Sequence, residues 1–253
     1  MPLRFAVLLL SVAQVIATLL PSFGYGTPIG EQSDDSHTLI TPIGWTFSIW
    51  GPLFFGSIAY AVYQAMPSQR DNPFLQRLAL PAAGAFFGNA TWALYAQSFA
   101  LGWPSVVIIL FTLACLLTAY RVLANWPQRL TAGERFLAAL PLSALAAWLT
   151  AASIVNIAGT LTFYDFRAPI DPVLLGAVIV GIGGLIAAGA VAGGRGNPWY
   201  TLVFLWALLG IHAAATGDQH PPIAWAAIAA GLIVAIVALA SLARRENRER
   251  WLG

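Results

Sequence analysis

The chain divides into eight apolar runs, each about twenty residues long, and arginine fills every second gap between them. Crossing the hydrocarbon core of a bilayer takes roughly 20 apolar residues in a helix, and the runs fall at about 4–22, 44–65, 79–100, 104–123, 136–159, 172–193, 198–216 and 222–243. A helix satisfies its own backbone N–H and C=O groups, which lipid does not. Of the 253 residues, 59% are hydrophobic and 9% charged, too few charges to clothe a soluble globule. The expected fold is therefore all-α, a polytopic bundle of eight transmembrane helices. Pro104, Pro172, Pro198 and Pro222 stand at the start of four runs, where a missing N–H costs nothing.

Arg4, Arg70, Arg77, Arg121, Arg129, Arg135, Arg195, Arg244, Arg245, Arg248 and Arg250 fall before the first run, after the last, or in alternate gaps, eleven of the 12 basic residues. The other gaps hold Glu31, Asp34, Asp35, Asp165, Asp171 and Asp218, with Arg167 as the exception. Cytoplasmic loops retain arginine, so both termini are expected in the cytoplasm. The net charge of +2 is then an orientation signal, and the basic tail is suited to anionic headgroups of the lipid bilayer rather than to nucleic acid. A bacterial inner membrane is the expected location. The first run is read as a span, not a cleaved signal: it exceeds a typical signal core, and no small-residue cleavage pattern stands out after it.

Little in the sequence points to catalysis. The twelve basic residues are all arginine, which excludes a lysine Schiff base. There is no carboxylate pair within a run, no zinc-ligand spacing and no phosphate-binding glycine loop. The single cysteine, Cys115, lies mid-span and cannot form an internal disulfide. No catalytic or metal-binding residue is expected.

Aromatic and amide residues concentrate in the first five runs, whereas the last three are mostly Gly, Ala, Val, Ile and Leu. The second run begins Thr41-Pro42-Ile43-Gly44-Trp45-Thr46-Phe47-Ser48-Ile49-Trp50-Gly51-Pro52-Leu53-Phe54. The third carries Asn89 and Trp92 one turn apart, with Tyr95 one turn further, and the fifth carries Trp148 and Asn156. Amides at this depth need partners that lipid does not offer. Two readings stand: hydrogen bonding and packing between helices, or a pocket in which ring faces and N–H groups receive a flat, mostly apolar ligand such as a porphyrin, sterol or carotenoid. Trp103, Trp126 and Trp199, at span ends, read as interfacial anchors.

These motifs resemble the TspO/MBR proteins, the tryptophan-rich sensory or translocator family. The proline-led aromatic run into the second helix, Asn89-Ala-Thr-Trp92 in the third and Trp148 followed by Asn156 in the fifth match the family's pattern in order and placement. The resemblance covers residues 1–160, with 161–253 as a three-helix extension ending in the basic tail. It departs in spacing, because Phe47 and Trp50 stand one residue closer than in the compact five-helix members. The resemblance implies a ligand cavity among the first five helices, covered by the 23–43 loop as a lid, with Trp45, Phe47, Trp50, Asn89, Trp92, Tyr95, Trp148 and Asn156 as candidate ligand-binding residues. It implies a tetrapyrrole ligand (porphyrin, haem or chlorophyll-type) first, and a sterol- or carotenoid-like one second.

Two features lie outside that pattern. His212 is the one histidine within a run, near its outer end, a candidate cofactor-binding residue or a structural one. The sixth run is rich in glycine, and Gly189 with Gly193 forms a small-xxx-small pair for close packing within the chain, in a homodimer, or against the partner of a larger membrane complex. An accessory subunit and a transporter of a small hydrophobic molecule are the alternatives to a ligand-binding protein.

Overall fold

The computed structural model describes residues 2–27 and 38–253; Glu31, Asp34 and Asp35, and with them the middle of the expected lid, lie outside the described residues. Among those described there are helices and short connections and no strand. The helices are α1 (Pro2–Leu19), α2 (Trp50–Ala65), α3 (Pro73–Ser98), α4 (Trp103–Asn125), α5 (Ala132–Phe163), α6 (Pro172–Gly193), α7 (Pro198–Gly217), α8 (Pro221–Leu242) and the short α9 (Arg245–Leu252). Six are long and apolar enough to cross a membrane: α1 with its 3₁₀ extension, α4, α5, α6, α7 and α8. Two of the eight expected spans fall short of that measure. α2 has only 16 residues of α-helix, and α3, with 26, is diluted by Gln76, Arg77, Asn89 and Gln97.

The second span also differs in form from a continuous helix over 44–65. Gly44–Ile49 is a 3₁₀ turn, and the α-helix begins at Trp50. Pro52 explains the break. In a helix begun at Gly44 it would sit in the interior and lack the N–H owed to Ser48, whereas in a helix begun at Trp50 it occupies the first turn, where donors are unused.

Three helices start on one local device, an Asn or Asp followed by proline. Asn72 Oδ1 accepts from Phe74 N and Leu75 N, Asp171 Oδ1 from Val173 N and Leu174 N, and Asn197 Oδ1 from Trp199 N and Tyr200 N. The side chain satisfies amides the helix leaves open, and the proline removes one more. α5 starts instead on a capping box, Thr131 with Glu134. Its next turn, Arg135–Ala139, is π-helical just ahead of Pro141, whose ring lacks the N–H needed to hold an α-helical register there.

α5 is the axis of the molecule. Its most apolar window is 78% buried, against 33% for α6 and α8. One side of it meets α2 and α4, to which α3 and α1 are packed; the other meets α7, to which α8 and α6 are packed. Close approach of α6 to α8 depends on Gly184, where a methyl would stand 3.0 Å from the Ala230 Cα. By contrast, a methyl at Gly189 or Gly193 would meet nothing within 4 Å, so that glycine pair makes no close packing within the described chain. Outward-facing side chains such as Phe55, 76% exposed, with Leu9, Leu80, Trp225 and Leu239, form the apolar exterior expected of a body whose solvent is lipid.

The arginine-bearing connections gather at one end. Arg4 donates to Gln69 O and Arg70 O, Asn72 donates to Glu134, and Arg129 pairs with Glu249 of α9. Trp251, fully buried, donates its indole N–H to Arg195 O at 3.2 Å. Trp126 also lies at this end but is buried, against Phe74 and beneath the Arg77 guanidinium at 5.5 Å, rather than acting as an exposed anchor. Trp103 keeps the expected exposed position, stacked on Tyr164.

Candidate functional site

At the end of the bundle opposite the arginines, the 3₁₀ turn before α2 closes over α3, α5 and α7 and leaves a cavity of about 70 Å³. Thr41, Pro42 and Phe47 form one wall, Trp92 and Ala96 of α3 a second, and α5 the floor through Trp148, Ala151, Ala152, Val155, Asn156 and Gly159. Leu101 and Ala207 of α7 complete the lining. The positions on α5 recur every three or four residues, one face of a helix. Small residues between Trp148 and Asn156 leave the space that those two side chains border.

Of the candidate residues, Phe47, Trp92, Trp148 and Asn156 line this cavity. The Phe47 ring meets the Trp148 ring edge to face at 5.9 Å, and Trp50 supports Trp148 from outside the cavity at 6.0 Å while stacking on Phe54. Trp50 thus positions a lining residue without lining the space itself. Trp45 lies against Trp206 at 4.9 Å, and Tyr95 against Phe99; neither lines the cavity.

Asn89 follows the helix-packing reading. Its Nδ2 donates to Gln14 Oε1 at 2.9 Å, a buried bond between α3 and α1. His212 Nδ1 lies 3.1 Å from Ala224 O and ties α7 to α8, outside the cavity lining.

Three buried polar atoms of lining residues have no partner among the described residues: Trp92 Nε1, Trp148 Nε1 and Asn156 Nδ2. Trp148 is 3% and Asn156 4% exposed, so bulk solvent does not satisfy them. Asn156 Oδ1 lies 3.1 Å from Ser105 Oγ, which anchors the amide to the start of α4. Leaving a buried donor unmade costs about 1–3 kcal/mol, and in a bilayer the surroundings offer no substitute. Among the described residues, none that lines the cavity is charged.

The C-terminal helices contribute more to this site than composition implied. Besides Ala207 in the lining, Trp206 Nε1 donates to Thr46 O at 2.9 Å and Ile43 N donates to Gly210 O at 3.2 Å. At Gly210 there is no room for a side chain: a methyl would stand 2.7 Å from Thr46 Cγ2 and 2.9 Å from Thr46 Cβ. α7 therefore clamps the strip that carries Phe47. An alanine and a glycine in a small-residue-rich helix gave no signal of this; Trp206 was the available one.

These features define a helical integral membrane protein with a small aromatic cavity at one end of its bundle. Its sequence matches the family described as TSPO-like protein over residues 3–240, and the chain belongs to that family. The match runs through α6, α7 and α8, beyond the segment that carries the aromatic motifs. No curated protein and no solved structure matches the chain.

Proposed function

We propose that the protein is a non-catalytic receptor for a hydrophobic ligand, crossing a bacterial inner membrane eight times with both termini in the cytoplasm. The observation that carries this reading is the set of unpartnered donors on residues that line an aromatic cavity, uncharged among the described residues. Such donors are tolerable where something periodically occupies the space. A tetrapyrrole is the first candidate ligand and a sterol- or carotenoid-like molecule the second. Cavities for drug-sized ligands measure about 300–1,000 Å³, so the about 70 Å³ here admits the edge of a macrocycle. Seating the rest requires the Thr41–Phe47 strip to move outward. The end of a polyene or a sterol requires less.

The test is an absorption spectrum of the purified protein, followed by protoporphyrin titration read as tryptophan quenching, in wild type and in Asn156→Ala, Trp148→Phe and Asn89→Ala. Saturable quenching weakened by the first two substitutions and not by the third supports the reading. Linear quenching indifferent to all three refutes it.

A second reading, an accessory subunit or a homodimer docked through α6, draws on the open positions at Gly189 and Gly193. Stable co-purification with a partner chain, lost in Gly189→Ile, would favour it. Movement of the ligand across the bilayer is a third, measured as porphyrin flux into proteoliposomes.

A further inference from the structure

We infer that the cavity selects an uncharged, carbonyl-bearing end of its ligand over a carboxylate; this deepens the ligand-binding reading and rests on it. The two indole groups carry the argument, because an indole nitrogen only donates. Trp92 Nε1 and Trp148 Nε1 are buried, have no partner among the described residues and belong to rings that line the same space. The Asn156 amide lies beside them, its Nδ2 also without a partner among the described residues and its Oδ1 3.1 Å from Ser105 Oγ. A complementary ligand therefore presents acceptors.

Both a ketone and a carboxylate do so, and charge separates them. An ionised carboxylate would gain the same N–H bonds but would arrive without a countercharge, since among the described residues no arginine or histidine lines the cavity. Burying an unpaired charge in such surroundings costs far more than neutral hydrogen bonds return. A ketone, quinone, ester or amide oxygen needs no countercharge. For a tetrapyrrole this means entry by an uncharged edge, with its carboxylates left outside.

The experiment uses the protein in nanodiscs of phosphatidylcholine at pH 7 and three single-ring probes of similar shape: acetophenone, benzoate and ethylbenzene. With carbon-13 in the acetophenone carbonyl, infrared difference spectra against empty nanodiscs separate ketone dissolved in lipid from ketone accepting N–H bonds, whose stretch moves to lower frequency. The expected result is a shifted band that saturates at one ketone per protein, fades in Trp92→Phe and again in Trp148→Phe, and is displaced by benzoate at least about tenfold less well than by unlabelled acetophenone. Phenylalanine keeps the ring and removes only the donor, and unchanged thermal unfolding shows that the fold is intact. Equal displacement by benzoate, or a shifted band that survives both substitutions, overturns the inference while leaving protoporphyrin quenching to stand. Absence of any saturable band together with linear protoporphyrin quenching overturns the ligand-binding reading as well.

Discussion

Gly210→Ala tests whether α7 holds the cavity in its small, closed form. The new methyl would stand 2.7 Å from Thr46 Cγ2 and 2.9 Å from Thr46 Cβ, against a side chain that is fully buried. Overpacking of this kind costs about 1–3 kcal/mol. The strain falls on the closed form alone, because outward movement of the Thr41–Phe47 strip relieves it. If a tetrapyrrole must open that strip to bind, about 2 kcal/mol taken from the closed form returns as apparent affinity. The expected gain is roughly 30-fold in the protoporphyrin dissociation constant. Thermal unfolding in the absence of ligand should fall, since the Trp206–Thr46 and Ile43–Gly210 bonds loosen with the strip. The assay is tryptophan quenching in parallel with a melting curve. A variant that melts earlier yet binds protoporphyrin no more tightly would refute the clamp as the element that limits access.

Other outcomes follow from contacts away from the cavity. Gln14→Leu and Asn89→Leu, alone and together, should show a coupling of about 0.6–1.7 kcal/mol in unfolding, as expected for an interhelical hydrogen bond in a membrane protein. Truncating fully buried Trp251 to Ala should release α9 at a cost of about 3 kcal/mol, read as faster proteolysis at Arg248 and Arg250 with the bundle intact. Hydrogen bonding from Arg245, with Arg129 adding its charge, holds the Glu249 carboxyl below its ordinary range. Its folded pKa is lowered, so its contribution to α9 docking is present above the ordinary carboxylate pKa and is lost as pH falls through the lower value. The mobility of a spin label at residue 252 should rise in that acidic window. Glu249→Gln should abolish the transition, and the amplitude should be small, as for exposed ion pairs.

The membrane body was legible because hydropathy over twenty residues and the arginine alternation are properties of the chain itself, and the Asn-Pro and Asp-Pro helix starts are local. What composition alone did not reveal was which polar groups partner each other. Asn89 and Asn156 looked equivalent as isolated amides in apolar helices, yet Gln14 lies opposite one and a cavity beside the other. That difference is set by helix rotation, which one sequence does not specify. Trp50 likewise sits behind a lining residue, and Trp45 and Tyr95 pack on Trp206 and Phe99 instead, because sharing a motif does not mean sharing a face. The 3₁₀ turn was readable in principle from Pro52, whose position rules out a long uninterrupted helix from Gly44. α7's part in the site was the least legible, since Ala207 and Gly210 act by being small.

The unpartnered donors also determine what occupies the cavity without ligand. A space of about 70 Å³ holds about two waters at their liquid volume. Waters seated there would need the two indole N–H groups and the amide to turn towards them, since the alanines, Val155 and Leu101 provide no polar partner. A ligand that only fills space expels those waters and leaves the donors unmade, while a carbonyl replaces the bonds it removes. At about 0.6–1.7 kcal/mol per bond in a membrane protein, two bonds separate acetophenone from ethylbenzene by about 1–3 kcal/mol, a roughly 5- to 150-fold difference in affinity. That gap, measured by competition in nanodiscs, should shrink by about half in Trp148→Phe, because one of the two indole donors is gone. If the gap is unchanged there, the indole N–H makes no bond to the ligand, and selectivity must arise from shape alone.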